Sequence, residues 1–289
     1  MISLVTAAEA QGLDSDMPIL VEALAAIGEA RRVDVWDDPS VDWASCDLVV
    51  VRSTWDYFRD RDRFLRWVDD VASVTLIANR PAVLRWNTDK RYLAELTAAG
   101  FDVVPTRFVE PGVEVVAALL GCAPVVVKPA VSAGSNDTAR YATGEHDLAL
   151  AHLRRLVDSG RVAMVQPYQS SVDVAGETGL VYLGGSFSHA FAKAPLLTDS
   201  LDMAGGLFAR EQIAARSASA AERDLADRAI AFASQRFGPL LYGRVDVVPG
   251  PNGPLLLELE LAEPSLFLHT DPGAPARAAA ALRAARPRL

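Results

Sequence analysis

The stretch Gly243-Arg-Val-Asp-Val-Val248, Pro249-Gly-Pro-Asn-Gly-Pro254, Leu255-Leu-Leu-Glu-Leu-Glu-Leu-Ala-Glu263 sets two apolar runs on either side of a Pro/Gly/Asn turn. That is the signature of a β-hairpin. Residues two apart on a strand share a face. Arg244 and Asp246 therefore point one way on the first strand, and Glu258 and Glu260 share a face of the second. Closing the hairpin brings one arginine and three carboxylates onto one patch. Burying them is costly without compensation. A divalent metal shared with a polyphosphate would supply it, because hard cations take carboxylate oxygens. A polar, solvated face with a cross-strand ion pair accounts for the hairpin equally well. The remainder of the chain has to decide.

Outward from the hairpin, the composition sets bounds. The 289 residues, 51% hydrophobic, suffice for two or three lobes. The net charge of -9, with no long basic run, argues against nucleic acid as a partner. No apolar run approaches the roughly 20 residues that span a bilayer, and no signal peptide is expected at the N-terminus. Cys46 and Cys122 are too few and too far apart for a disulfide framework or a zinc site, which suits a reducing cytoplasm. Of 28 Lys plus Arg, all but Lys90, Lys128 and Lys193 are arginine. An Arg- and Ala-rich composition is the plain cause. A chain so sparing with lysine nevertheless marks the places where a compact point charge suits a phosphate.

The upstream chain reads as an α/β lobe with strands at 2–6, 32–36, 47–52 and 76–78. Helices follow from an Asp16 cap to about residue 27, and from about 60 to 71. Ser53-Thr54-Trp55-Asp56-Tyr57 lies beyond the carboxyl end of an apolar strand, where ligands bind in open α/β sheets. Packing is the favoured reading for Trp55 and Tyr57. Thr88 is expected to cap a helix over 89–99 with Lys90 in its first turn. A lysine there opposes the helix dipole unless an anion is held nearby. A further helix is expected at 113–120. Pro124-Val-Val-Val-Lys128-Pro129 is a buried strand ending in lysine. The small, polar run Ala130 to Thr138 after it lets backbone N–H groups approach an anion. Gln166-Pro167-Tyr168 ends another strand. A hairpin over 176–193 places His189, Phe191 and Lys193 on one face. Both His189 and His269 are expected to be partly buried, hydrogen-bonded histidines. Residues 196–212 read as a long loop or lid. Helices are expected at 220–237 and 274–285.

Taken in order, the helix-start lysine, the Lys128-Pro129 strand end with its small-residue loop, Gln166-Pro167-Tyr168, and the Arg-x-Asp and Glu-x-Glu hairpin resemble the ATP-grasp superfamily. The resemblance covers nearly the whole chain. It implies a mixed α/β fold with an N-terminal pre-ATP lobe (1–84), a small central ATP lobe (85–170) and a C-terminal antiparallel-sheet lobe carrying the metal site (171–289). It further implies ATP and two Mg²⁺ ions as cofactors. Lys90 and Lys128 then contact ATP phosphates, and Ser132, Ala133, Gly134 and Ser135 close over them. Gln166, Pro167 and Tyr168 form the adenine hinge, and either Asp173 or Glu177 holds the ribose. Asp246, Glu258 and Glu260 ligate Mg²⁺, with Glu260 in place of the family's usual Asn. Arg244 steadies the phosphoryl group in transit, and Arg244 and Lys193 are the catalytic candidates.

Arg52-Ser-Thr-Trp-Asp-Tyr57, Leu84-Arg-Trp-Asn-Thr-Asp-Lys90 and Leu257-Glu-Leu-Glu-Leu-Ala-Glu-Pro-Ser-Leu-Phe267 are similar to the branch whose cyclo-ligases close O-ureido-D-serine into D-cycloserine. That similarity implies a cytoplasmic enzyme of antibiotic biosynthesis with a small amino-acid-like substrate. Arg52, Ser53, Thr54 and Asp56 would contact its carboxylate and amine, with Lys193, Glu263 and Ser265 opposite. An ordinary carboxylate–amine ligase for amino acids or peptides is the alternative. A non-catalytic nucleotide-binding protein is disfavoured by the complete lysine and carboxylate set. Whether the chain forms a homodimer is left open.

Overall fold

The computed structural model describes residues 1–121, 123–194 and 212–287. Strands β1 (Ile2–Thr6), β2 (Arg31–Val35), β3 (Leu48–Ser53) and β4 (Leu76–Ala78) form a parallel sheet in the order β2-β1-β3-β4. β1 and β3 are buried on both faces, which is why they read as unbroken apolar runs. Helices α1 (Asp16–Ala26) and α2 (Arg61–Val74) accompany this sheet. Asp60 starts α2 by accepting the Arg63 N–H.

A helix not expected from the sequence, α3 (Pro81–Asn87), precedes the one expected over 89–99, which begins only at Tyr92 as α4 (Tyr92–Ala98). Pro81 suits the first turn of α3. The chain then breaks because Asn87 is committed elsewhere. Its side-chain amide donates to Leu259 O at 2.7 Å and accepts from Leu261 N at 2.6 Å. Thr88 ends α3 and does not start the next helix, and its hydroxyl accepts from Arg61 Nε. Lys90 therefore sits in the connecting turn, not in a helix. The helix expected at 113–120 is only a 3₁₀ turn over Ala117–Leu119. Val113, Val115 and Val116 disfavour a longer one.

A second sheet comprises β5 (Arg107–Val109), β6 (Val125–Pro129), β7 (Ala139–Tyr141) and β8 (Ala163–Pro167), ordered β5-β8-β6-β7 and antiparallel. Helix α5 (His146–Asp158) covers it with Leu150, Leu153, Leu156 and Val157. After the short α6 (Val172–Ala175) comes the largest sheet. Its strands are β9 (Glu177–Leu183), β10 (Ser186–Lys193), β11 (Ile213–Arg216), β12 (Tyr242–Gly250) and β13 (Gly253–Glu260), ordered β11-β10-β9-β12-β13. β11 was not expected from the sequence. Helix α7 (Ala220–Phe237) opens on a Ser219/Glu222 capping box, and α8 (Ala274–Ala285) closes the chain. The lid expected at 196–212 lies outside the described residues except for Gln212. No helix among the described residues is long and apolar enough to cross a membrane.

The first and third sheets share one core. Ile2, Leu4, Leu48 and Val50 of the parallel sheet cluster with Val181, Phe191, Tyr242 and the α8 residues Ala278 and Leu282. Two buried polar residues seal this joint. The Tyr242 hydroxyl lies 2.9 Å from the carbonyl oxygens of Val51, Ala78 and Ala262, and donates to one at a time. The Asn79 amide donates to Tyr242 O and Leu261 O, and accepts from Leu241 N. Asn79→Ala leaves three buried backbone groups without a partner. It is expected to destabilise the protein by about 2–4 kcal/mol in denaturant unfolding, and a loss within experimental error would remove Asn79 from the joint.

Candidate active site

The hairpin pairs Arg244 with Glu260 and Asp246 with Glu258 across β12 and β13, with the register shifting just after Asp246. Asp246, Glu258 and Glu260 each bring one carboxylate oxygen to within 4.8 Å of the others. Arg244 is the hub. Its Nε and Nη2 donate to the two oxygens of Asp246, each at 2.8 Å, and Nη2 also donates to Glu260. Its Nη1 reaches Ser265 O at 2.8 Å. Lys90 Nζ stands 3.0 Å from Glu258 Oε1 and donates to Ser132 O at 2.7 Å. Lys193 Nζ lies 3.9 Å from Asp246 and 3.7 Å from Glu177. A cleft of about 520 Å³ collects all three lysines of the chain, Arg244, Glu258, Glu260 and Glu263.

The carboxylates are not equivalent. Burial alone would raise Glu258, but Lys90, Lys128 and Lys193 overcome it and hold the group at about 2. Burial lifts Glu260 to about 8 against the pull of Arg244, with Asp246 and Glu258 adding like charge. Burial likewise lifts Glu263 to about 7. Burial and the neighbouring Lys90 and Lys193 ammonium groups lower Lys128, with Glu258 opposing. Three converging carboxylates, one of them reluctant to ionise alone, form an all-oxygen donor set of the kind Mg²⁺ takes. The residues present fit that ion.

The run after Lys128 forms one wall. Ser132, Ala133, Gly134, Ser135 and Thr138 line the cleft. Gly134, Ser135 and Asp137 all have positive φ, at 60, 59 and 54°. That conformation is unfavourable for a non-glycine residue, and Asp137 is held there from outside. Its carboxylate meets Arg155, Arg161 Nη2 at 2.8 Å and His152 Nε2 at 3.2 Å, which ties the loop to α5. Burial would raise the Asp137 carboxyl, but Arg155 and Arg161 bring it down to about 2.

The expected hinge is not part of this cleft. Gln166 donates to Thr106 Oγ1 at 2.8 Å, and the Tyr168 N–H is already given to Pro124 O at 2.8 Å. The Tyr168 hydroxyl donates to Asp173, and Arg140 stacks 3.7 Å above the Tyr168 ring. Asp173 is thus engaged with Tyr168 and Arg140, whereas Glu177 faces Lys193. Pro167 is exposed.

Four expected substrate contacts are placed differently. Arg52, Ser53 and Thr54 are 1%, 0% and 0% exposed and do not line the cleft. Arg52 donates to Pro264 O at 2.9 Å and faces Asp16 at 3.8 Å. Ser53 donates to Thr6 Oγ1, and Asp56 accepts from Trp36 Nε1. Arg52 is thus taken up by the chain after β13, whereas Ser53 and Asp56 are bonded within the N-terminal lobe. Glu263 and Ser265 do line the cleft, together with Gly12, Leu13, Ser15, Trp55 and Phe267. Trp55 had read as packing; it is both buried and cleft-facing, with Nε1 donating to Glu263 O at 3.1 Å. The loop after β1 was missed, although the strand-end rule that selected 53–57 applies to it equally. His189 is buried between Leu266 O and Ser188 Oγ, as expected, whereas His269 is exposed.

Residues 2–79 match the N-terminal domain of the D-cycloserine synthetase DcsG. The cycloserine biosynthesis protein DcsG of Streptomyces lavendulae is 39% identical over 280 residues, 93% of each chain. The chain belongs to the D-cycloserine synthetase family. The crystal structure of D-cycloserine synthetase DcsG superposes with a TM-score of 0.89 at 36% identity, over 97% of this chain and 98% of that one. A RimK-domain ATP-grasp protein from Sphaerobacter thermophilus has a TM-score of 0.69 at 19% identity, covering 98% and 100%. A D-alanine–D-alanine ligase from Bacillus anthracis has 0.66 at 11%, covering 98% and 96%. The fold is therefore ATP-grasp, and the family member described here is an enzyme, a ligase forming C–N bonds.

The ionised Asp137 clamp has a defined pH signature. A carboxyl depressed in the folded state stabilises above its unfolded value near 3.8, and that stability is lost as pH falls through about 2. Asp137→Asn should lower Tm at pH 7, and the two curves should converge between pH 4 and pH 2. A Tm difference unchanged down to pH 2 would contradict the clamp.

Proposed function

We propose that this enzyme closes O-ureido-D-serine to D-cycloserine with consumption of ATP and water and release of ADP, phosphate, carbon dioxide and ammonia. The observation that carries this reading is the single cleft. It faces the lysines and small-residue loop, suited to phosphates, toward Glu258 and Glu260 of the carboxylate trio and then toward Trp55, Glu263, Ser265 and Phe267. The Streptomyces lavendulae relative, a cycloserine biosynthesis protein, supplies the product class. A volume of about 520 Å³ suits a polyphosphate and a small amino acid. A cytoplasmic setting agrees with Cys46, a buried free thiol.

ATP with two Mg²⁺ ions supplies the phosphoryl group and neutralises its charge. Asp246, Glu258 and Glu260 would hold the metal, and the shared position of Glu258 and Glu260 on β13 sets them side by side. Lys90, Lys128 and the 132–135 loop would hold phosphate oxygens. Arg244 and Lys193 lie between that region and the substrate wall, where charge builds on the phosphoryl group. The carboxylate so activated is attacked by a nitrogen of the same molecule. The ureido nitrogen next to oxygen loses its proton as the C–N bond forms, the C–O bond to phosphate breaks, and phosphate leaves. Water then takes the carbamoyl group from that nitrogen, and the carbamate released decomposes to carbon dioxide and ammonia. Positioning and charge neutralisation do the chemistry, with no protein nucleophile.

The deciding experiment is ADP release with small amino acids supplied singly. O-ureido-D-serine alone should support turnover. A requirement for a second amine would favour the amino-acid or peptide ligase instead. Glu258→Gln should reduce Mg²⁺-dependent ADP formation by about 100-fold or more with an unaltered circular dichroism spectrum; undiminished turnover would take Glu258 out of the metal set.

A further inference from the structure

The substrate wall, residues 263–268, is a connection between β13 and a 3₁₀ turn at Leu268–Thr270. Irregular backbone this deeply placed must find partners for its polar groups. Its carbonyl oxygens are taken by side chains from separate elements. Trp55 Nε1 meets Glu263 O at 3.1 Å, Arg52 Nη2 meets Pro264 O at 2.9 Å, Arg244 Nη1 meets Ser265 O at 2.8 Å, and His189 Nε2 meets Leu266 O at 2.8 Å.

Its N–H groups converge on one carboxylate. Asp16 Oδ2 accepts from Leu266 N at 2.6 Å and Phe267 N at 3.0 Å, and Oδ1 accepts from Leu268 N at 2.7 Å. Asp16 is 0% exposed and lies 3.8 Å from Arg52. It had read as the cap of α1, yet it belongs to the helix and spends its side chain on a segment far away in sequence. Phe267 is left-handed, with φ 46° and ψ 49°. A bulky side chain does not adopt that conformation unless its surroundings impose it. Three consecutive N–H groups gathered on one anion impose it here.

We infer that Asp16 is a positioning residue for the amino-acid end of the cleft, with Arg52 as its counter-charge. Neither side chain touches the cleft. Together they grip the wall from behind, Arg52 by Pro264 O and Asp16 by the amides of Leu266, Phe267 and Leu268. That grip sets the directions in which Glu263, Ser265 and Phe267 face the substrate. Lys90, Lys128 and the 132–135 loop stand on other elements and Arg244 joins the two sides, so the effect falls chiefly on the amino-acid substrate. The inference rests on the proposed function only in taking the wall as the place of the amino acid.

The test is Asp16→Asn in the full chain. One acceptor oxygen becomes an NH₂ group that confronts a backbone N–H. KM for O-ureido-D-serine should rise about tenfold while KM for ATP stays within about twofold. Amides 266–268 should exchange faster with solvent deuterium. An unchanged substrate KM, or both KM values rising together, overturns the inference. Should Asp16→Asn not fold, Arg52→Lys decides. It keeps the cation beside Asp16 but shortens the reach to Pro264, and substrate KM should rise about threefold with ATP KM unchanged; no rise overturns it. If the parent enzyme releases no ADP with O-ureido-D-serine, the function falls, and the exchange measurement still judges the clamp. Equal exchange in parent and variant then refutes it.

Discussion

A guanidinium set between carboxylates on neighbouring strands is the constraint on which the site depends. Arg244 is only 4% exposed and Asp246 only 1%. A buried charge is tolerated when it is paired and its hydrogen bonds are met. The two parallel bonds to Asp246 meet that condition, and they also fix the plane of the guanidinium. With the plane fixed, its remaining N–H groups point at Glu260 and at Ser265 O. One side chain thereby orients a member of the carboxylate trio and the substrate wall at once. A lysine could not serve this geometry, because it carries a point charge without a fork.

The same economy extends across the lobes. Lys90 joins Glu258 of the large sheet to Ser132 O of the phosphate loop. Asn87, just before it, is bonded to the backbone of β13. The turn between α3 and α4 therefore aims Lys90 into the cleft. Asp137 ties the other end of the loop to α5. The loop is thus held at one end by the large sheet and at the other by α5.

Much of this was legible in the residues. The hairpin, both later helices and the parallel sheet follow from local period and turn chemistry, and charged residues in otherwise apolar strands stand out. What failed depended on distant partners. Thr88 has the chemistry of a cap, and nothing nearby announces that Asn87 will bond to residues 259–262. Arg52 sits at a strand end where ligands are expected, but the direction of its side chain is set by Asp16 and Pro264. Trp55 was weighed as either packing or site, and burial at a cleft edge makes it both. The left-handed Phe267 leaves no mark in the sequence, because glycine is the usual sign of such a position.

The scarcity of lysine has a practical consequence. Every lysine of the chain faces the cleft, and Lys90 and Lys193 have side chains only 13% and 9% exposed. The remaining amine, at Met1, is bonded to Asp47. Amine-selective acylation, which decorates the outer surface of most proteins, would here act as a footprint of cleft occupancy. Lys128, whose ammonium is disfavoured by burial and by its two lysine neighbours, is an amine that a bound polyphosphate would shield.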